Sequence, residues 1–121
     1  MNNILYEKAE ADFREGWLGT KDTYTKHHKL LPYRCHCPAC TIAHEIHKEI
    51  KEPRYASYCI FCPVTAWRNK AKKDNTSTPC VAKGALYIKW AHEENIDRKA
   101  KLAERISRLK WSWIPEYQNL D

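Results

Sequence analysis

Apolar residues recur every four positions at the start of the chain: Leu5, Ala9, Phe13 and Trp17, with Glu7, Lys8, Glu10, Asp12, Arg14 and Glu15 between them. That period places one stripe on one face of a helix, so an amphipathic N-terminal helix is predicted over about 4–16, ending at the glycines Gly16 and Gly19. The polar run Thr20 to Lys29 follows, with Lys26, His27, His28 and Lys29 expected on the surface. Ile42, Ile46 and Ile50 repeat the same step and Pro53 interrupts it, which predicts a second helix from about Thr41 to Glu52. Pro63 suits the first turn of a short basic helix carrying Val64, Trp67 and Ala71. Asp74 to Pro79 is a run of turn formers. Leu86 and Trp90, with Ile96, mark further helix, and Asn95 or Asp97 can cap the last one. In that last helix Leu102, Ile106, Leu109 and Trp113 form a seam that Pro115 ends, so the C-terminal helices are expected over about 82–113.

Only three glycines occur in 121 residues, which disfavours the frequent tight turns of an all-β fold. The expected fold class is therefore mainly α, a single compact helical domain over 1–121. A body this small gains much from a covalent or metal staple.

The cysteines supply the candidate staple. Cys37-Pro-Ala-Cys40 and Cys59-Ile-Phe-Cys62 are two CxxC pairs separated by 18 residues. Each pair puts two sulfurs on one side of a metal while its turn amides point at them, and the second pair closes a tetrahedron. The expected cofactor is a structural zinc ion on Cys37, Cys40, Cys59 and Cys62, with Cys80 as the reserve ligand and a metal region spanning 35–80. Disulfides and an iron–sulfur cluster are the weaker alternatives for the same cysteines. Cys35 stands too close to Cys37 for an ordinary knuckle, and Cys35 and Cys80 read by default as compact apolar thiols. Cys40 falls at or just before the first helical turn, where the helix dipole favours a thiolate. His36 sits inside the cysteine run. His44 and His47 are three apart, and no HExxH results, because only two residues separate them.

A closed four-thiolate zinc has no position for water, so it predicts structure and not catalysis. The sequence holds no glycine-rich phosphate loop and no GxSxG, and pairs such as Glu93 and Glu94 read as solvated surface. The chain is therefore read as no enzyme, with no small-molecule substrate expected.

Charged residues make up 30% of the chain and the formal net charge is +6, reduced to about +4 by four thiolates and one zinc. Arg98, Lys101, Arg105 and Arg108 follow steps of three, four and three along the last helix. Arg68, Lys70, Lys72 and Lys73 add a cluster next to Trp67. Cations beside aromatic rings suit phosphate contact with base stacking, so these eight residues are the candidate nucleic-acid surface, against the plainer reading of a solvated helix face. Trp17, Trp67, Trp90 and Trp113 are expected in the core. Trp111 points off the C-terminal seam and Tyr117 lies in the tail, which makes them candidate anchors for a protein partner.

The longest uncharged stretch, Ala56 to Trp67, is short of the roughly 18 to 20 apolar residues that span a bilayer. No membrane partner is expected. The charged start, Met1 to Asp12, does not read as a secretory peptide, which points to the cytoplasm.

CPAC, then CIFCPVTAW, then Cys80, Tyr87-Ile-Lys-Trp90 and a basic C-terminal helix resemble small cysteine-rich proteins encoded by bacteriophages, over about Cys37 to Leu109. The resemblance implies a zinc-binding accessory protein used in host takeover or against host defences, located in the host bacterial cytoplasm. Cys35, His36 and the long N-terminal helix depart from that pattern. Two functions result: a non-enzymatic, zinc-stabilised nucleic-acid binder, or an inhibitor or adaptor that engages a host protein.

Overall fold

The computed structural model describes residues 3–20, 26–49, 58–74, 79–81 and 84–112. Among them are five α-helices: α1 (Asn3–Thr20), α2 (Pro38–Glu49), α3 (Thr65–Asp74), α4 (Leu86–His92) and α5 (Ile96–Ser107). Three short 3-10 turns lie at Arg34–His36, Tyr58–Phe61 and Pro79–Val81. The mainly helical reading holds.

Helix α1 is the central element, packing on α2 along one side and on α5 along another, while α4 packs on α5. Its apolar stripe forms the core: Ala9, Phe13 and Trp17 are almost fully buried, and so are Leu30, Ile42, Ile46, Val64 and Ile106 from the surrounding segments. The core is unusually aromatic. Phe13 meets Trp17, Trp67 and Trp111 edge to face at centroid distances of 6.5, 6.1 and 5.3 Å. Edge-to-face contacts of this kind add about 0.5–1.5 kcal/mol each beyond the area they bury.

The ends of α1 and α5 differ from the sequence expectation, and α2 begins at Pro38, ahead of the expected Thr41. Helix α1 passes through Gly16 and Gly19 and stops at Thr20. These glycines admit a neighbour. A Cβ on Gly16 would lie 2.5 Å from Leu30 Cδ2, and one on Gly19 would lie 2.5 Å from His27 Cδ2. The returning chain is pinned there by Thr20, whose hydroxyl donates to the Gly16 carbonyl at 2.8 Å and accepts from the His27 N–H at 2.9 Å.

The C-terminal helix, expected to reach about 113, ends at Ser107. Its start follows the sequence: the Asn95 side chain accepts from the Arg98 N–H at 3.0 Å, a regular N-cap. At its end the Arg14 guanidinium donates to the carbonyls of Ser107 at 3.0 Å and Leu109 at 3.2 Å. Those carbonyls then need no further helical turn. The chain continues extended beside residues 63–65, with Thr65 N donating to Lys110 O, Ser112 N donating to Pro63 O, and a single antiparallel bridge between Val64 and Trp111.

Unwinding the chain after Ser107 turns Trp111 inward. It is 7% exposed and meets the Tyr6 ring edge to face at 5.6 Å. The expectation that Trp111 is a surface anchor is thus corrected, because it assumed a helical direction that the backbone no longer has. Tyr117, Trp113, Pro115, Ile50 and Pro53 lie outside the described residues, as do 75–78 of the expected loop.

Candidate functional site

All six cysteines line one cavity of about 230 Å³. They reach it from three places. Cys35, Cys37 and Cys40 come from the turn before α2 and its first turn, Cys59 and Cys62 from the Tyr58–Phe61 turn and its exit, and Cys80 from the Pro79–Val81 turn. Helix α2 packs directly on the Tyr58–Phe61 turn, and α3 packs on both that turn and Pro79–Val81, which brings the three segments together. The reserve ligand Cys80 is therefore a full member of the group.

Local backbone geometry explains how so many sulfurs face one space. Cys35 and His36 both adopt left-handed conformations, with φ of 55° and 53°. Such consecutive values are rare for side chains other than glycine and cost of order 1–3 kcal/mol each. Here they fold the chain back so that Cys35 and Cys37 both reach the cavity, although Cys35 stays exposed. Thr41 accepts from the Arg34 N–H at 2.9 Å and holds this turn against the start of α2.

Burial pushes the Cys62 thiol well above its ordinary range, and the neighbouring thiols of Cys37, Cys80 and Cys59 push in the same direction. Burial likewise raises Cys80 to about 11, reinforced by Cys37 and Cys59. Cys37 is raised by burial, against the backbone N–H groups of Cys40 and Ala39 and the Lys26 ammonium, which favour its thiolate. Cys37, Cys59, Cys62 and Cys80 thus lie within electrostatic reach of one another. Crowded thiols of this kind stay protonated by themselves and ionise around a cation, which is the ordinary chemistry of a thiolate metal site. An all-sulfur donor set suits a soft, thiophilic metal. Among the described residues, however, no group of three or more His, Cys, Asp or Glu side chains that could hold a metal ion is found.

The rest of the cavity wall was not legible in the sequence. Trp17, Trp67 and Tyr87 line it, and Lys26 closes beside them with its ammonium 4.6 Å from the Tyr87 ring centroid and 5.7 Å from that of Trp17. Lys26 was expected on the open surface; it is half-buried as a cation over two rings. The Trp17 indole N–H is buried with no hydrogen-bond partner among the described residues. His44 and His47 are not part of the wall, and neither is His36.

The eight candidate cations separate into four sets. Arg98, Lys101 and Arg105 are exposed on α5 and line an open groove of about 520 Å³ against α4, where Lys89 and His92 face them. Lys89 and His92 belong to the groove only because α4 folds back on α5. Glu93 is the acidic residue among the lining side chains, and it accepts the Asn95 N–H at 3.1 Å. Arg108 lies past the end of the groove and pairs with Glu104 at 2.5 Å. Lys70, Lys72 and Lys73 are on α3 and are not part of the groove lining.

Arg68 departs from the expected nucleic-acid surface and is a correction to it. It is 6% exposed, and its guanidinium donates to Ser112 O at 3.1 Å, Ser112 Oγ at 2.6 Å and Cys62 O at 3.4 Å. An Arg so buried and so bonded ties the C-terminal segment to the second cysteine pair. Its helical neighbours Lys72 and Lys73 are exposed, so sequence alone gave no sign of the difference.

Comparison with protein-family models, curated proteins and solved structures finds no match to this chain. None of the helices described is long and apolar enough to cross a membrane.

Proposed function

We propose that this chain is a non-enzymatic binding protein that takes the phosphate backbone of nucleic acid in the groove between α4 and α5, its helices tied by metal at the cysteine cavity. The groove carries the reading. Lys89, Arg98, Lys101 and Arg105 surround one concave surface with Glu93 as the opposing charge, and that carboxylate already accepts a backbone N–H. Four cations converging from two helices supply the multivalent, counterion-releasing contact that phosphate binding needs, where a single helix stripe would supply a solvated face. On this reading Arg68, bonded inside the body, leaves the sequence-derived surface, and Lys89 and His92 of the groove lining join it.

The alternative, a host-protein inhibitor or adaptor anchored by Trp111 and Tyr117, loses Trp111 to the core, and Tyr117 lies outside the described residues. The groove favours the first reading. Fluorescence anisotropy with labelled single-stranded and duplex oligonucleotides tests it across a salt series. Binding should weaken steeply with salt, and Lys101→Ala with Arg105→Ala should shallow the log–log slope by about 0.7–0.9 for each phosphate that is no longer neutralised. A flat salt response, or a slope the double variant leaves unchanged, would reject the groove as the binding surface.

A further inference from the structure

We infer that the occupant of the groove between α4 and α5 is duplex nucleic acid, gripped by the phosphates of one strand without regard to base sequence. The inference rests on the nucleic-acid reading above and narrows it. Proteins that hold single strands without sequence preference join a cationic track to aromatic rings on which successive bases stack. The groove has the track and lacks the rings. Its cations are Lys89 on α4 and Arg98, Lys101 and Arg105 on α5, and His92 supplies the one ring among the lining side chains.

The tryptophans that the sequence sets among cations are turned inward. Trp17, Trp67, Trp90 and Trp111 are each at most 7% exposed. Trp90 is the telling case, since it follows Lys89 directly in α4. Its ring meets Trp17 at a centroid distance of 5.0 Å and lies under the Lys99 ammonium, so at 6% exposure it offers no face to a base. Tyr87, half-buried, belongs to the cysteine cavity, where Lys26 stands over its ring.

The spacing of the cations suits a duplex. Arg98 and Arg105 are seven residues apart with Lys101 between them, about 10.5 Å of helix at 1.5 Å per residue. Each strand of a duplex presents a phosphate about every 3.4 Å of axis, so α5 laid along it passes about three, one for each cation. A lone strand carries its charge at lower density, and its counterion release per phosphate is smaller, about 0.7 against about 0.9. The two walls are also fixed to each other: Asn95 caps α5, and Lys99 of α5 donates to the Trp90 carbonyl of α4. A fixed array of cations matches phosphates that are themselves held in place, whereas a flexible strand must first be ordered to fit it. Leu102, half-buried, is the one apolar lining side chain, so no wedge enters between bases. Contact then ends at the phosphates, which position a protein without reading sequence.

Competition anisotropy on the full chain tests this with a labelled strand of about 20 bases, alone and annealed to its complement, and with a second duplex of scrambled sequence and equal composition. At one salt concentration the duplex should bind about tenfold more tightly than either strand, and the two duplexes should agree within about twofold. Lys101→Ala with Arg105→Ala should weaken the duplex most. A single strand that binds as tightly as the duplex, and loses affinity in that double variant, overturns the inference and leaves the groove reading standing. A preference of more than about tenfold between the two duplexes overturns the indifference to sequence. Binding to neither form, or binding that the double variant leaves unchanged, overturns the groove reading and the inference with it.

Discussion

Lys99 donates from its ammonium to the Trp90 carbonyl at 2.9 Å while the same nitrogen stands 4.2 Å above the Trp90 ring. One cation thereby closes the end of α4 and packs α5 against it. Lys99 is 8% exposed, unlike its helical neighbours Arg98 and Lys101, which face the groove. Lys99→Ala should lower stability by about 1–3 kcal/mol, the loss of a charge-assisted hydrogen bond and a desolvated cation–π contact. Urea unfolding at an unchanged midpoint would show that the contact contributes nothing.

Trp111 packs edge to face on both Tyr6 and Phe13, across the junction of α1 with the C-terminal segment. Trp111→Ala should cost about 3–5 kcal/mol, as for other large buried aromatics. The thermal midpoint is the readout. A variant as stable as the parent would return Trp111 to the surface.

Gly16 would gain helix propensity of about 1 kcal/mol on replacement by alanine in an open helix. The opposite is expected here, because the new Cβ would meet Leu30 Cδ2 at 2.5 Å and Leu30 is fully buried. Gly16→Ala should destabilise by about 1–3 kcal/mol. A stabilised variant in chemical denaturation would mean that Leu30 can move aside.

Arg68 and Arg105 should separate folding from binding. Arg68→Ala leaves the Ser112 and Cys62 carbonyls without their donor and should cost about 1.5–3 kcal/mol, with the salt slope of oligonucleotide binding unaltered. Arg105→Ala should stay within about 0.5 kcal/mol of the parent and shallow that slope by close to one unit. Equal effects of the two on the slope would contradict their assignment to different roles.

Much of the helical framework was legible because it is written in local periodicity. The stripe Leu5, Ala9, Phe13 and Trp17 needs no tertiary information to predict a buried face, and the Asn95 cap needs only the residues that follow it. Errors came where distant groups intervened. By local pattern Gly16 reads as a helix stop and Trp111 as an outward-facing residue, whereas Leu30 and Arg14 decide both.

The candidate sites divide in the same way. Two CxxC pairs and a basic last helix could be read directly, since their spacing is local. Neither the entry of Cys80 into the cysteine cavity nor the approach of Lys89 to Arg98 could be read so.

The order of residues by itself determined the helical class, the thiol-rich chemistry and the surplus of positive charge, all of which follow from short-range spacing and composition. Only the tertiary structure decided which cations face a shared groove, which are buried inside the body, and which cysteines line one cavity. Those outcomes depend on groups far apart along the chain meeting in space, and the packing of α1 against α2 and α5 sets where they meet.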